Sequence, residues 1–274
     1  MRTEGWGAAL ATLRRYGRVF GACVRNCLAR ELEFRSSFLF SAVSTAIWAV
    51  LSIVLAGLVF GNVREIRGWD MDRMFIVTGS FLIVESLLST LFQRNMQKLS
   101  ELVNKGELDF VLIKPISSQF LVSIRYLDFG DLPTTVVGLF YVGLGVQRLG
   151  LQPGPVEVGL YGLLLLCALA SFYALWFMTV TLVLYTGRIE NIAAIMGSIV
   201  PLARVPTDVF RGAAKPLLVY VVPVAAISTL PSEALLGVLE PTMAPYQVGL
   251  ALVLLWASHR FWHFSLRRYS SASS

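Results

Sequence analysis

A chain of 274 residues that is 56% hydrophobic, only 15% charged and of mean hydropathy +0.68 is too apolar for a water-soluble domain of its length. Its net charge of +6 does not call for nucleic acid, because membrane proteins gather Lys and Arg on the cytoplasmic side. Three cysteines make no disulfide framework.

These bounds predict an all-α, polytopic membrane protein, whose elements can be taken in order. In residues 8–30, Leu13, Tyr16, Phe20, Cys23, Val24 and Cys27 share one helical face, while Arg14, Arg18 and Arg25 hold the opposite one with Arg15 to the side. This predicts a cytoplasmic amphipathic helix within segment 1–37, lying on anionic lipid with its arginines among the headgroups. A helix that docks on a soluble partner is the alternative. No pattern of a cleaved signal peptide opens the chain, so none is expected. Cys23 and Cys27 share the apolar face without a third ligand nearby, so no metal site is expected.

Residues 38–60 carry no charge and are long enough for a first span. Gly57 and Gly61 form a GxxxG near its end, either a close-packing device or a chance spacing. A polar loop, 62–73, precedes a second span at 74–92, which contains one acid, Glu85. An ionisable group inside a span is a candidate relay, or else it faces the bundle as a structural group.

Residues 98–118 then break the apolar pattern. Leu99, Leu102 and Val103 recur at helical spacing, Gly106 should end that helix, and Pro115 forces the chain out of helical geometry. This predicts a short surface helix with charged flanks hung between two spans.

A third span follows at 132–146, with 120–131 interfacial before it and a Pro-rich turn at 147–157 after it. Residues 158–185 are long enough for a tilted fourth span. The run 192–202 is apolar but short, and 216–230 contains Pro223. Counting only the first as a crossing puts sixteen Lys and Arg inside and seven outside, with both termini cytoplasmic. Residues 207–240 then form an outer re-entrant hairpin broken at Pro223 and Pro231. The sixth span is 246–264, with Trp256, Trp262 and Tyr269 suited to an interfacial belt, before a cytoplasmic tail at 265–274. His259 and His263 sit four apart, a possible metal pair but with no third ligand in view; interfacial anchoring accounts for them.

The stretch Asn104-Lys105-Gly106-Glu107-Leu108-Asp109-Phe110-Val111-Leu112-Ile113-Lys114-Pro115 resembles the G-x-L-D-x-x-L-x-[RK]-P motif of bacterial ABC-2-type export permeases. The resemblance implies six spans across a permease domain, 38–264, with an elbow helix ahead of the first and re-entrant helices between the last two. It also implies that loop 93–119 is a coupling helix that meets an ATPase subunit. On that reading Leu99, Leu102, Val103, Leu108 and Leu112 present an apolar face to the ATPase, rimmed by Glu101, Glu107, Asp109 and Lys114 and closed by Pro115. Asp109 could instead cap the local helix.

The implied function is the membrane subunit of an ATP-driven exporter in a bacterial inner membrane. It would work with a second permease chain, identical or homologous, and two cytosolic ATPases. This chain itself is not an enzyme: it has no Walker A loop, no H-E-x-x-H and no G-x-S-x-G, so ATP and Mg belong to the partner. The alternative is an ATP-independent secondary transporter or channel that uses Glu85.

Overall fold

The computed structural model describes residues 3–33, 35–61, 65–186, 197–212 and 214–269. Among these the secondary structure is helical apart from one isolated antiparallel bridge, Ile66 to Trp69. The expected fifth crossing at 192–202 lies partly outside the described residues, and the tail beyond Tyr269 and the side chain of Leu13 lie wholly outside them.

Helix α1 (Thr3–Glu33) leads to α2 (Arg35–Phe60). The next helix starts at Asp70, whose side chain accepts from Arg73 N at 2.8 Å. It runs as α3 (Met71–Leu88), a π-helical turn (Ser89–Gln93) and α4 (Arg94–Asn104), 34 residues in all. At 1.5 Å per residue this is about 51 Å, well beyond the roughly 30 Å hydrocarbon core. The expected separate surface helix at 98–118 is thus, in its first part, the projecting end of this 34-residue helix.

After α5 (Asp109–Leu112) and α6 (Ser118–Ile124), a 3₁₀ turn (Phe129–Asp131) leads into α7 (Leu132–Arg148), which has Pro133 in its first turn, where no helical N–H is lost. The next long helix is α8 (Pro155–Thr181), followed by the short α9 (Val183–Thr186). Farther on, helical pieces Ala214–Tyr220 and Val224–Leu235 meet at 63° across a break that contains Pro223. The second piece includes α10 (Thr229–Leu235), whose first turn takes in Pro231 without a break, contrary to expectation, because a first-turn proline loses no helical N–H; α11 (Met243–Leu266) follows. Among the described residues three helical runs, Met71–Asn104, Phe129–Arg148 and Pro155–Tyr185, are long and apolar enough to cross a bilayer, and the bent pair counts as a fourth if taken as one span. Helix α2 adds the apolar run Leu39–Leu51.

Contacts along these helices set their directions. Gly138 and Gly145 of α7 pack against Gly79 and Ile76 of α3, so the two run antiparallel. At this seam a Cβ on Gly79 would lie 2.6 Å from Gly138 O, and one on Gly138 would lie 2.8 Å from Gly79 O. Only glycine permits that approach of one backbone to another. By contrast, nothing lies within 4 Å of a Cβ placed on Gly57, so the GxxxG at the end of α2 makes no such contact in this chain.

Tyr161, near the start of α8, meets Ser80 of α3 at 3.0 Å, while Phe177, near its end, packs on Trp262 at the end of α11. Gln247, early in α11, donates to Leu164 O at 3.1 Å. Helices α8 and α11 are therefore parallel, and the chain between them returns to the end where Trp69 and Arg148 lie.

Apolar side chains fill the core of the bundle and also cover much of its outside. Phe40, Trp48 and Val50 of α2, Val136 and Phe140 of α7, and Leu252 and Trp256 of α11 all face outward, exposed. Polar groups meet inside: Ser86 with Thr135 at 2.7 Å, Ser80 with Tyr161, and the fully buried Gln247. Lipid or another apolar partner must cover such an exterior. This is an all-α membrane protein.

Candidate functional site

The stretch that carries the sequence motif forms an arm at the end of the bundle opposite Trp69. Helix α4 stops where Gly106 adopts φ +71°, a left-handed geometry that suits glycine. Lys105 N donates to Glu101 O and Leu108 N to Leu102 O, both at 3.0 Å, which satisfies the last carbonyls of α4. One turn of α5 follows, and after Pro115 the hydroxyl of Ser117 caps α6 by accepting from Phe120 N at 3.4 Å.

Leu99, Leu102, Val103, Leu108 and Val111 all point inward and are buried, and Leu112 packs half-buried against the same cluster. Their neighbours are Leu121 and Val122 of α6, Phe177 and Val180 of α8, and Trp262 of α11. This corrects the expected geometry, in which Leu99, Leu102, Val103, Leu108 and Leu112 faced a partner. Helical periodicity shows which side of a segment is apolar, and here the chain's own helices cover that side.

Two large apolar side chains do face out, Phe110 at 67% exposure and Ile113 at 77%. Around them Glu107, Lys114 and Pro115 are exposed, and Glu101 pairs with Lys98 at 2.7 Å and Lys105 at 3.9 Å. Asp109 lies half-buried in the first turn of α5, whose N-cap position is Leu108, so it is not the cap. Sequence reasoning missed the outward pair. The available signal was that Phe110 and Ile113 fall off the Leu108, Val111, Leu112 stripe in a segment otherwise rich in charge.

Behind the arm, residues 125–128 are irregular, and their backbone groups need partners inside the protein. Asn95, buried on α4, accepts from Tyr126 N at 2.8 Å and donates to Tyr126 O at 2.7 Å. Asp128 N donates to Thr90 O at 3.0 Å. From α1, Cys27 Sγ accepts from Leu127 N at 3.3 Å and Arg30 donates to Leu127 O at 3.4 Å. The apolar face of α1, with Tyr16, Val19 and Cys27, thus packs on protein, while Arg14, Arg18 and Arg25 stay exposed on the far side. Burial, and then the neighbouring Cys27, pushes the Cys23 thiol above its usual value, so the thiolate that binds metals is disfavoured. Among the described residues no group of three metal-capable side chains occurs.

Glu85 lies mid-helix on α3 with its side chain about a third exposed, and its Oε1 is 3.7 Å from Arg204 Nη2. Arg204 also lies over the Phe81 ring at 5.4 Å. Glu85 therefore has a cationic partner, far from the arm. Pro223 is buried at the break between the two bent pieces. Trp262, expected in an interfacial belt, is fully buried in the cluster under the arm, whereas Trp256 is exposed. The His259 and His263 rings meet edge to face at 4.4 Å, and His259 Nδ1 bonds Gln119 Oε1 at 2.9 Å.

Residues 36–273 match the family described as ABC-2 family transporter protein. No curated protein and no solved structure matches the chain.

Proposed function

The chain belongs to the ABC-2 transporter family, as a membrane permease, and from that premise we propose that it is the transmembrane subunit of an ATP-driven exporter. Two permease chains, identical or homologous, form the path, and two cytosolic ATPase subunits bind ATP and Mg and drive it. The arm receives the ATPase. Both termini lie in the cytoplasm of a bacterial cell, six spans cross the inner membrane, and the bent pair around Pro223 enters the outer leaflet and returns. The parallel course of α8 and α11 supports this count, because a single crossing between them must bring the chain back.

The observation that carries the docking reading is the exposure of Phe110 and Ile113 at the tip of a helix too long for the bilayer. A few apolar anchors inside a charged rim is the usual anatomy of a protein interface, where the anchors supply most of the binding energy. Glu107 and Lys114 then tune orientation and rate. The pairing of Glu85 with Arg204 weighs against a free carboxylate relay, and so against the ATP-independent alternative.

Phe110→Asp and Ile113→Asp should each leave insertion and folding unchanged but abolish co-purification of the ATPase. Leu108→Asp should instead deplete folded protein, because it buries an unpaired charge. If the ATPase still co-purifies with both outward variants, the arm is not the docking element.

A further inference from the structure

Directly behind Phe110 and Ile113, Leu108 and Val111 are 0% and 1% exposed. The buried cluster that receives them contains residues of α4, α6, α8, α9 and α11, and none of α7 among the described residues. A load on the outward pair is therefore delivered sideways to α6, α8 and α11 as well as back along α4. Apolar contacts resist compression but are non-directional, so they slide under shear. Hydrogen bonds supply direction, and around the arm they converge on α6.

Residues from the cap of α6 to its last turn are tied to three different helices. Ser117 N donates to Tyr16 OH of α1 at 3.2 Å, and Ser118 Oγ accepts from Trp262 Nε1 of α11 at 3.0 Å. Ser123 Oγ bonds Tyr173 OH of α8 at 2.8 Å. Gln119 stands at the centre and uses both ends of its amide. Its Oε1 accepts from His259 Nδ1 at 2.9 Å, while its Nε2 donates to Ser258 Oγ at 3.2 Å and to Tyr173 OH at 3.4 Å. One side chain thus holds α8 and α11 together against the helix that follows the arm.

The other route from the arm runs along the chain into α3. There a π-helical turn, Ser89–Gln93, separates α4 from α3, and α3 itself is fixed to α7 by the glycine seam. Resting on the reading of the arm as the ATPase-docking element, we propose that Gln119 is the positioning residue that locks the arm to α8 and α11. Displacement of the arm on ATP binding then moves the α8–α11 pair past a stationary α3–α7 pair.

An amide can serve three partners of mixed donor and acceptor character, and leucine of similar size serves none. Glutamate retains the link, because the hydroxyls of Ser258 and Tyr173 can rotate to donate. The test is hydrogen exchange of the permease–ATPase complex with ADP and with ATP plus vanadate. The wild type should show its nucleotide-dependent change in peptides covering 256–269. Gln119→Leu should keep the ATPase bound and lose that change, and Gln119→Glu should retain it. If Gln119→Leu fails to assemble, the double variant Ser258→Ala with His259→Phe, which removes both α11 partners of Gln119 and leaves Gln119 in place, carries the same expectation. A preserved change in the Leu variant, loss in the Glu variant, or a wild-type change confined to 132–148 overturns the proposal. A wild-type chain that captures no ATPase defeats the docking reading first, and this inference with it.

Discussion

The seam between α3 and α7 and the joint around α6 hold their helices by opposite means. At the seam, Gly79 and Gly138 bring two backbones together so closely that neither position has space for a methyl group. At the joint, Gln119, Ser118, Ser123 and Tyr173 reach across the gaps with side chains and hydrogen bonds. A backbone contact has one geometry and no slack, whereas hydroxyls and amides can rotate and re-pair. The seam therefore builds one rigid pair, α3 and α7, and the joint ties the arm to a different pair, α8 and α11.

The largest break expected is at the seam. Gly79→Leu must displace the Gly138 carbonyl and Val142, both within 2.7 Å of the new Cβ. The cost should be about 3 kcal/mol, at the upper end for overpacking. Thermal unfolding in detergent should show it as a large fall in midpoint, and a variant as stable as the wild type would mean the seam is loose.

A smaller loss is expected just beside the joint. Asn95→Leu keeps the volume but leaves the Tyr126 N–H and C=O without their side-chain partner, at a cost of about 1–3 kcal/mol. Exchange at the Tyr126 amide should quicken markedly while α3 and α7 remain protected. Equal loosening of both regions would show that seam and joint are one unit.

The smallest effect should come from the joint itself. Tyr173→Phe removes the hydroxyl shared by Ser123 and Gln119, and should cost about 1 kcal/mol because both groups can re-pair nearby. Denaturant or thermal titration beside Gly79→Leu would measure the contrast, and similar losses in the two variants would erase it.

The amino-acid sequence by itself determined the class of protein, its apolar runs and the turn points. Composition excludes a soluble domain, Gly106 ends α4, and Pro223 lies in the break between the bent pieces. Each of these follows from a local cause: burial of apolar surface, a left-handed backbone, a missing N–H. The motif at 106–115 also marked the stretch that forms the arm. Its orientation was not legible. The stripe Leu99, Leu102, Val103 and Leu108 reads as apolar whether a partner or the chain's own α6, α8 and α11 cover it, and only the tertiary structure shows the latter. The same ambiguity hid Trp262, whose amphipathic ring suits an interface but whose N–H found Ser118 inside. Likewise Gly57 and Gly61 carried the recognisable spacing, while the close approach was made by Gly79 and Gly138, 59 positions apart. Local chemistry fixes what a residue can do, but contacts between distant segments decide which of its faces is covered, and hence which surface remains for function.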